Sequence, residues 1–125
     1  MFDLSDKEIG KRGENIACSH YRALGNTICT QNFSRKYGEI DIVAIKGNLL
    51  RFIEVKTSFR KNCDALTPDV RIDYKKRRNL PRIIDAYLSE NNVPENVLYQ
   101  IDIAIVYLSD DNGESTVELL ENVEL

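Results

Sequence analysis

The chain has 125 residues, of which 42% are hydrophobic and 30% are charged, and its formal net charge is −3. This length supports one hydrophobic core and is too short for two, so we expect a single domain over residues 1–125. No apolar run approaches the roughly 20 residues that a membrane-spanning helix needs. The start of the chain lacks a basic stretch followed by an apolar one, which predicts no secretory signal and no membrane partner.

The cysteines indicate the compartment. Cys18, Cys29 and Cys63 are odd in number, widely spaced and not arranged as C-x-x-C pairs. This pattern favours a reducing compartment and disfavours a structural zinc site. We therefore predict a cytoplasmic protein whose cysteines are free and packed within the fold.

Charge is distributed unevenly along the chain. Residues 1–30 carry 4 basic and 4 acidic side chains and are neutral, residues 31–78 carry 12 basic and 6 acidic ones for a charge of +6, and residues 79–125 carry 1 basic and 10 acidic ones for −9. Phosphate binding depends on local charge more than on the total, so the central segment points weakly to nucleic acid. The acidic segment is equally well explained as a solvated face.

The first predicted elements are a helix and a strand. Ser5-Asp6-Lys7-Glu8 has the pattern of a capping box, which predicts a helix over about residues 6–24 that ends at Gly25. Thr27 to Phe33 is predicted to be a strand. A polar turn over residues 34–37 follows.

Two alternating segments follow, GEIDIVAI (38–45) and LLRFIEVKT (49–57). Turn residues Gly47-Asn48 separate them, which predicts an antiparallel hairpin. In the first strand, alternation places Glu39 and Asp41 on one face. It assigns the apolar side chains to the opposite face, namely Ile40, Ile42 and Ala44. In the second strand it places Glu54 and Lys56 on one face and the apolar Ile53 and Val55 on the opposite face.

The second half of the chain predicts one helix and two strands. Residues 58–70 contain Pro68 and are expected to form a loop, after which Asp73 caps a helix that runs to about Glu90. Pro81 cannot donate a backbone hydrogen bond, so we expect a kink or break near residues 77–80. The strands are expected over residues 99–108 and 116–120, with a turn at residues 110–113. The order α-β-β-β-α-β-β predicts an α/β fold with a mixed central sheet flanked by helices.

The hairpin could bring Asp41, Glu54 and Lys56 into one patch. Two carboxylates can hold a hard cation such as Mg²⁺, and a neighbouring lysine can orient or activate a water molecule. Because no histidine or cysteine accompanies the oxygen ligands, Mg²⁺ or Mn²⁺ is favoured over zinc. The pattern suggests a site that cleaves phosphodiesters. The alternative is a cross-strand salt bridge on an ordinary half-solvated sheet.

These residues resemble those of a known family. Gly38 to Ala44, Phe52 to Lys56, and Gly13-Glu14 on the first helix are similar to motifs of the YraN family, which is grouped with the PD-(D/E)xK nucleases and lies near the archaeal Holliday-junction resolvases. The resemblance spans nearly the whole chain and includes Asn32 and Arg35. It implies a restriction-endonuclease-like fold with the site on the central sheet.

The resemblance also implies roles for individual residues. Asp41 matches the central metal-binding aspartate, Glu54 and Lys56 match the signature pair, and Glu14 matches the helical acid that completes the metal site in resolvase-like members. Glu39 could be an outer ligand or a hydrogen-bond partner. The implied cofactor is Mg²⁺ or Mn²⁺, held by Asp41, Glu54, the Val55 carbonyl and Glu14. The alternative for Glu14 is an ordinary solvent-facing helix residue.

Basic residues are candidates for phosphate contact, with DNA favoured over RNA. The candidates are Arg35, Lys36, Arg60, Lys61, Lys75, Lys76, Arg77 and Arg78. The last four could instead be a solvated face. Two positions depart from the family pattern: Pro81 lies in a helix that is usually continuous, and Gln100 stands where a basic residue is more usual. Because resolvase-like relatives act as dimers, a homodimer stays open.

Three functions remain open from the sequence. The first is a metal-dependent endonuclease that uses Asp41, Glu54 and Lys56. The second is a non-catalytic nucleic-acid-binding module that kept the nuclease fold. The third is a protein-interaction partner that docks through the acidic residues 79–125.

Overall fold

The structure, a computed structural model, describes residues 5–60, 74–109 and 114–124, with the side chains of all of these except residues 60 and 74–78. Within these residues, two helices and five strands occur in the predicted order α-β-β-β-α-β-β. In chain order they are α1 (Asp6–Ala23), β1 (Thr27–Arg35), β2 (Gly38–Lys46), β3 (Leu49–Arg60), α2 (Tyr74–Glu90), β4 (Leu98–Ser109) and β5 (Ser115–Leu120).

The five strands form one mixed sheet in the spatial order β1-β2-β3-β4-β5. β1, β2 and β3 form an antiparallel meander, which includes the predicted hairpin between β2 and β3. β3 pairs in parallel with β4, and β4 pairs antiparallel with β5. A parallel pair requires a crossover connection, and α2 lies in that connection. The α/β fold with a mixed sheet is thus confirmed.

Helix α1 begins and ends as its sequence predicts. Ser5 accepts a hydrogen bond from the Glu8 amide through its side chain, and the Glu8 carboxylate reaches back to the Ser5 amide, which completes a capping box. At the other end, Gly25 has a φ of 96°, and the Asn26 amide donates to the Tyr21 carbonyl at 3.0 Å. This left-handed turn after the helix satisfies carbonyls that have no partner within it.

The helices cover opposite faces of the sheet. α1 packs through Ala17, Cys18 and Tyr21 on a cluster of sheet residues, which are Ile42, Ala44, Ile53, Ala104, Val106 and Leu108. α2 packs on the other face through Leu80, Ile83, Ile84 and Tyr87 against Phe33, Ile40, Val43, Leu50 and Phe52. The aromatic rings of Phe33 and Phe52 meet the Tyr87 ring edge to face. Apolar area buried on both faces therefore fixes a three-layer arrangement.

Two predicted features differ from the structure. A break near residues 77–80, one of the two predicted effects of Pro81, is wrong, because helix α2 continues through Pro81 to Glu90. Proline removes only one helical hydrogen bond, and the burial of Leu80, Ile83 and Ile84 on the sheet can offset that loss. Residues 58–60, which were predicted to lie in a loop, belong to β3, because pairing with β4 extends that strand to Arg60.

Several predicted features lie outside the described residues. They are the Asp73 cap, the Pro68 loop, the turn at residues 110–113 and Cys63. Cys18 and Cys29 are free, as predicted, but only Cys18 is buried, so the expectation of a packed cysteine is wrong for Cys29. Within the described part of the chain, neither helix is long and apolar enough to cross a membrane.

Candidate metal and phosphodiester site

The site lies beside the point where Asn32 of β1 faces Asp41 of β2. Asn32 has a φ of 55°, in the left-handed region that asparagine tolerates better than most residues. The pairs Gln31 with Ile42 and Phe33 with Ile40 keep the same register, which places Asn32 opposite Asp41, and the register shift of this strand pair lies between Ile28 and Thr30.

The side chains of β2 do not alternate regularly between the two faces of the sheet. Ile42 and Ala44 pack against α1, whereas Ile40 belongs to the cluster on the α2 side. The predicted common face for Ile40, Ile42 and Ala44 is therefore wrong for Ile40, because the alternation does not continue through Asp41. In β3, Ile53 and Val55 share the α1 face as predicted.

Asp41 is held by the backbone of the neighbouring strand. Its carboxylate oxygen Oδ2 accepts a hydrogen bond from the Val55 amide at 2.8 Å, and only 7% of the residue is exposed. The regular pairing of β2 with β3 reaches Ile42 and Ile53 and stops there. A buried carboxylate is costly unless it has partners, so this amide bond stabilises the charged side chain where the two strands separate.

Glu14 reaches the same place because α1 approaches β3 very closely. Gly13 is buried, and a Cβ atom at this position would lie 1.9 Å from the Thr57 Oγ1 atom and 2.9 Å from its Cβ. Only glycine permits this contact. It sets Glu14, the next residue, above the strand that carries Glu54.

These residues line one open cavity of about 370 Å³, which we call the acidic cavity. Three acidic residues that the sequence predicts for the site, Glu14, Asp41 and Glu54, line it. The remaining lining residues are Asp6, Ile9, Gly10, Val55 and Thr57. The structure thus brings together the helical acid and the two strand acids, which are distant in sequence.

The electrostatics of Glu14 reflect this crowding. Burial raises the pKa of Glu14 above its ordinary value, and the charges of Asp41 and Glu39 raise it further. A hydrogen bond from the Asn32 side chain and the charge of Lys11 act in the opposite direction. Accumulated negative charge therefore makes the acidic cavity favourable for a cation.

Lys56 lies beside the acidic cavity rather than in its wall. Its Nζ atom is 3.9 Å from Oε1 of Glu54, two residues away on the same strand. The Lys56 and Glu54 side chains are 29% and 11% exposed, so the pair is partly shielded from water. This ion pair joins two residues of the same strand, β3.

The ligand type at the site suits a hard cation, but the side chains are not arranged around one position. Carboxylates are the ligands that Mg²⁺ and Mn²⁺ prefer. In the described part of the chain, however, no three His, Cys, Asp or Glu side chains are arranged to hold a metal ion. A cation would therefore have to draw the carboxylates together by side-chain rotation.

Other predicted site residues are placed differently. Glu39 is exposed and does not line the acidic cavity, although its charge affects Glu14. Arg35 forms an ion pair with Glu90 and stacks 4.0 Å from the centre of the Phe33 ring, so a phosphate would compete with Glu90 for it. Lys36 is exposed in the turn after β1. The remaining predicted phosphate contacts lie outside the described side chains, namely Arg60, Lys61, Lys75, Lys76, Arg77 and Arg78.

Sequence reasoning missed the residues that support the site. Asn32 and Gly13 are pointed to only by the family resemblance, which assigns neither of them a role. Thr57 has the pattern of an ordinary strand residue. The one available signal is glycine in the middle of a helix, which is unfavourable without a packing reason.

A buried polar cluster at the other end of α1 was also missed. Asp102 is fully buried and accepts hydrogen bonds from the Tyr21 hydroxyl, the Gln100 amide group and the Asn122 backbone amide, at 2.9, 2.9 and 3.0 Å. Arg51 Nε lies 3.4 Å from Asp102 Oδ2 without a hydrogen bond of good geometry. Burial and the charge of Asp102 raise the pKa of Tyr21 well above its usual range. This cluster ties α1 to the sheet.

The raised pKa of Glu14 predicts how charge at the site affects stability. Because the folded state disfavours the ionised form, wild-type stability is lost as pH rises from the ordinary carboxyl pKa through the raised one. We expect Glu14→Gln to increase the free energy of unfolding at pH 7 in chelator, and the gain to vanish at acidic pH. Urea denaturation at both pH values measures the change in the free energy of unfolding. Glu118→Gln, at an exposed position on β5, is the charge-matched control. A loss of stability at pH 7 would contradict the electrostatic explanation.

Comparison with known proteins identifies the family. Residues 13–106 match the family model described as uncharacterised protein family UPF0102. A UPF0102 protein of Campylobacter lari is 36% identical, with 96% of each chain covered. A UPF0102 protein of Helicobacter hepaticus is 34% identical, and the match covers 98% of this chain and 99% of the relative. A UPF0102 protein of Caldicellulosiruptor saccharolyticus is 32% identical, and the match covers 95% of this chain and 98% of the relative. The matched region contains Glu14, Asp41, Glu54 and Lys56, and the chain belongs to the UPF0102 family, the YraN family that its motifs resemble.

Proposed function

We propose that the chain is a metal-dependent endonuclease that hydrolyses phosphodiester bonds in nucleic acid. The observation that carries this proposal is the buried Asp41 carboxylate in a cavity shared with Glu14 and Glu54. Carboxylate oxygens are the ligands that Mg²⁺ and Mn²⁺ prefer, and acids from a helix and two strands line this one cavity.

The cation would be held by carboxylate oxygens of Asp41, Glu54 and Glu14. The backbone carbonyl of Val55, which also lines the cavity, would supply a further oxygen ligand. A cation bound there would polarise a phosphate and make a water molecule more acidic. The Val55 amide keeps Asp41 in place, so the strand backbone fixes the position of one ligand.

Lys56 would act on the charge that develops during hydrolysis. Its ammonium lies beside Glu54, close enough to the acidic cavity to orient a water molecule or to stabilise negative charge on a phosphate oxygen. Partial burial strengthens such an interaction relative to bulk water. Lys56 is thus assigned a role distinct from that of the carboxylate ligands.

The local positive charge of the chain and its motif resemblance to nucleases both favour nucleic acid as the phosphodiester substrate. Residues 31–78 carry a charge of +6 by sequence count and contain Asp41, Glu54 and Lys56. The motif resemblance to PD-(D/E)xK nucleases supports DNA as the first substrate to test. The names of the UPF0102 relatives state a family and no activity.

A cleavage screen tests the proposal. Branched, flapped, single-stranded and duplex DNA would be incubated with Mn²⁺ and with chelator, comparing wild type with Lys56→Met, which keeps the length of the side chain. We expect Mn²⁺-dependent cleavage of at least one substrate, reduced by about 10²–10³-fold in Lys56→Met as for other groups that stabilise developing charge. Cleavage that persists in chelator, or that is unchanged in Lys56→Met, would contradict the assigned roles.

One observation favours a non-catalytic nucleic-acid-binding module as the second candidate. In the part of the chain that the structure describes, no three ligating side chains form a ready metal site. If this candidate is correct, DNA binding will be the same with and without Mn²⁺ and will persist in Asp41→Asn. No substrate in the screen will then be cleaved.

A further inference from the structure

Helix α1 separates its charges onto two sides, although residues 1–30 are neutral by count. Asp6 and Glu14 line the acidic cavity, whereas Lys11 and Arg12 line a different hollow. The side of α1 at the acidic cavity thus carries two acids, whereas the side at the second hollow carries two basic residues and one acid, Glu8.

The second hollow is an open groove of about 670 Å³, which we call the α1 groove. It lies between one stripe of α1 and the beginning of β5, where Ser115 contributes. The α1 residues that line it recur at helical spacing and so share one side of the helix, namely Glu8, Lys11, Arg12, Asn15, Ile16 and Ser19.

The acid in this groove is already engaged. The Glu8 carboxylate accepts a hydrogen bond from the Ser5 hydroxyl at 2.9 Å as part of the capping box. Lys11 and Arg12 remain as the cationic groups of the groove, with the Asn15 amide and the Ser19 hydroxyl as neutral donors. Ammonium, guanidinium, amide and hydroxyl groups are the donors that contact phosphates in nucleic-acid complexes.

The α1 groove and the acidic cavity are neighbours. Lys11 and Glu14 are three residues apart on the helix, which places them side by side, and the charge of Lys11 lowers the pKa of Glu14. One helix therefore forms the wall between a basic groove and the cavity assigned to the cation. An extended polyanion could lie across α1 and occupy both.

We propose that the α1 groove binds the sugar-phosphate backbone of the nucleic acid next to the bond held at the acidic cavity, with Lys11 and Arg12 contacting phosphates. This inference rests on the proposed function, because it assigns the neighbouring segment of the same substrate. It adds two contact residues outside the basic segment over residues 31–78. It also explains how a chain of net charge −3 can approach DNA: the phosphates meet a local basic stripe.

Fluorescence anisotropy with labelled duplex and single-stranded DNA of about 20 nucleotides, in chelator and over a salt series, tests the groove. The variant is Lys11→Ala/Arg12→Ala. The matched control is Arg22→Ala/Lys46→Ala, which removes the same charge at the far end of α1, where Lys46 donates to the Leu24 carbonyl. Arg22 lies 11 positions beyond Lys11 in the sequence, or roughly 16 Å along the helix.

We expect the groove variant to raise the Kd of wild type by about tenfold at low salt, because two phosphate contacts are lost. The slope of log K against log salt should fall by about 1.8 on duplex DNA, and the control pair should change neither quantity much. Unchanged binding in the groove variant, an equal loss in the control pair, or no DNA binding by wild type would each overturn the proposal.

A separate measurement distinguishes failure of the groove from failure of the proposed function. Saturable Mn²⁺ binding by calorimetry should be retained in the groove variant, because neither Lys11 nor Arg12 is assigned as a ligand and loss of the Lys11 charge beside Glu14 does not oppose cation binding. If the groove variant binds DNA with the Kd of wild type while Mn²⁺-dependent cleavage still requires Lys56, the groove inference is wrong and the proposed function stands.

Discussion

Asp102→Ala is expected to lower the free energy of unfolding by about 3–5 kcal/mol. The substitution removes a fully buried carboxylate and leaves the hydroxyl of Tyr21, the side-chain amide of Gln100 and the backbone amide of Asn122 without their acceptor. It also removes the nearest counter-charge of Arg51, whose side chain is only 14% exposed. Urea denaturation at pH 7 measures the loss.

Two comparison variants sharpen this prediction. Asp102→Asn keeps the shape and an acceptor oxygen but loses the charge, so its loss of stability should be smaller than that of Asp102→Ala. Asp85→Ala removes an exposed aspartate from α2 and should change stability by no more than about 0.5 kcal/mol. If Asp102→Ala is no more destabilising than Asp85→Ala, the polar cluster does not anchor α1.

Gly13→Ala is expected to destabilise the fold by about 1–3 kcal/mol, although alanine is the better helix former. The added methyl group would lie 1.9 Å from Thr57 Oγ1, so α1 or β3 must move. Movement of α1 also shifts Glu14 away from Asp41, and we expect weaker binding of Mn²⁺. Denaturation in chelator and a Mn²⁺ titration measure the two effects separately.

Gly10→Ala is the matched control on the same helix. A Cβ atom at Gly10 meets nothing within 4 Å, so alanine there should stabilise the protein by about 0.5–1 kcal/mol through helix propensity alone. Opposite signs at Gly10 and Gly13 would establish that the close approach to Thr57 is specific. A stabilising Gly13→Ala would show that α1 does not depend on this contact.

Local sequence signals predicted most of the fold. The capping box at Ser5, the Gly25 stop and the Gly47-Asn48 turn each act over a few residues, so their effect can be read directly from the sequence. The continuation of α2 through Pro81 depends instead on packing against the sheet. Tertiary burial can override a local preference, and sequence alone does not show which residues will be buried.

The candidate site was predicted in composition but not in geometry. Alternation identified the acids of β2 and β3, and the family resemblance added Glu14. Neither signal could show that Asn32 adopts a left-handed conformation or that the alternation of β2 fails between Ile40 and Ile42. Nor could either signal show the separation of charge around α1, because a count along the sequence ignores which side of a helix each residue occupies.

The central claim is that the acidic cavity binds a divalent cation through Asp41. Calorimetric titration of Mn²⁺ into wild type and Asp41→Asn, with both proteins shown to be folded by urea denaturation, tests it most directly. The substituted side chain would keep an acceptor oxygen for the Val55 amide but lose the charge. We predict saturable binding to wild type that is absent in the variant; no saturable binding to wild type, or equal binding to both, would contradict the account.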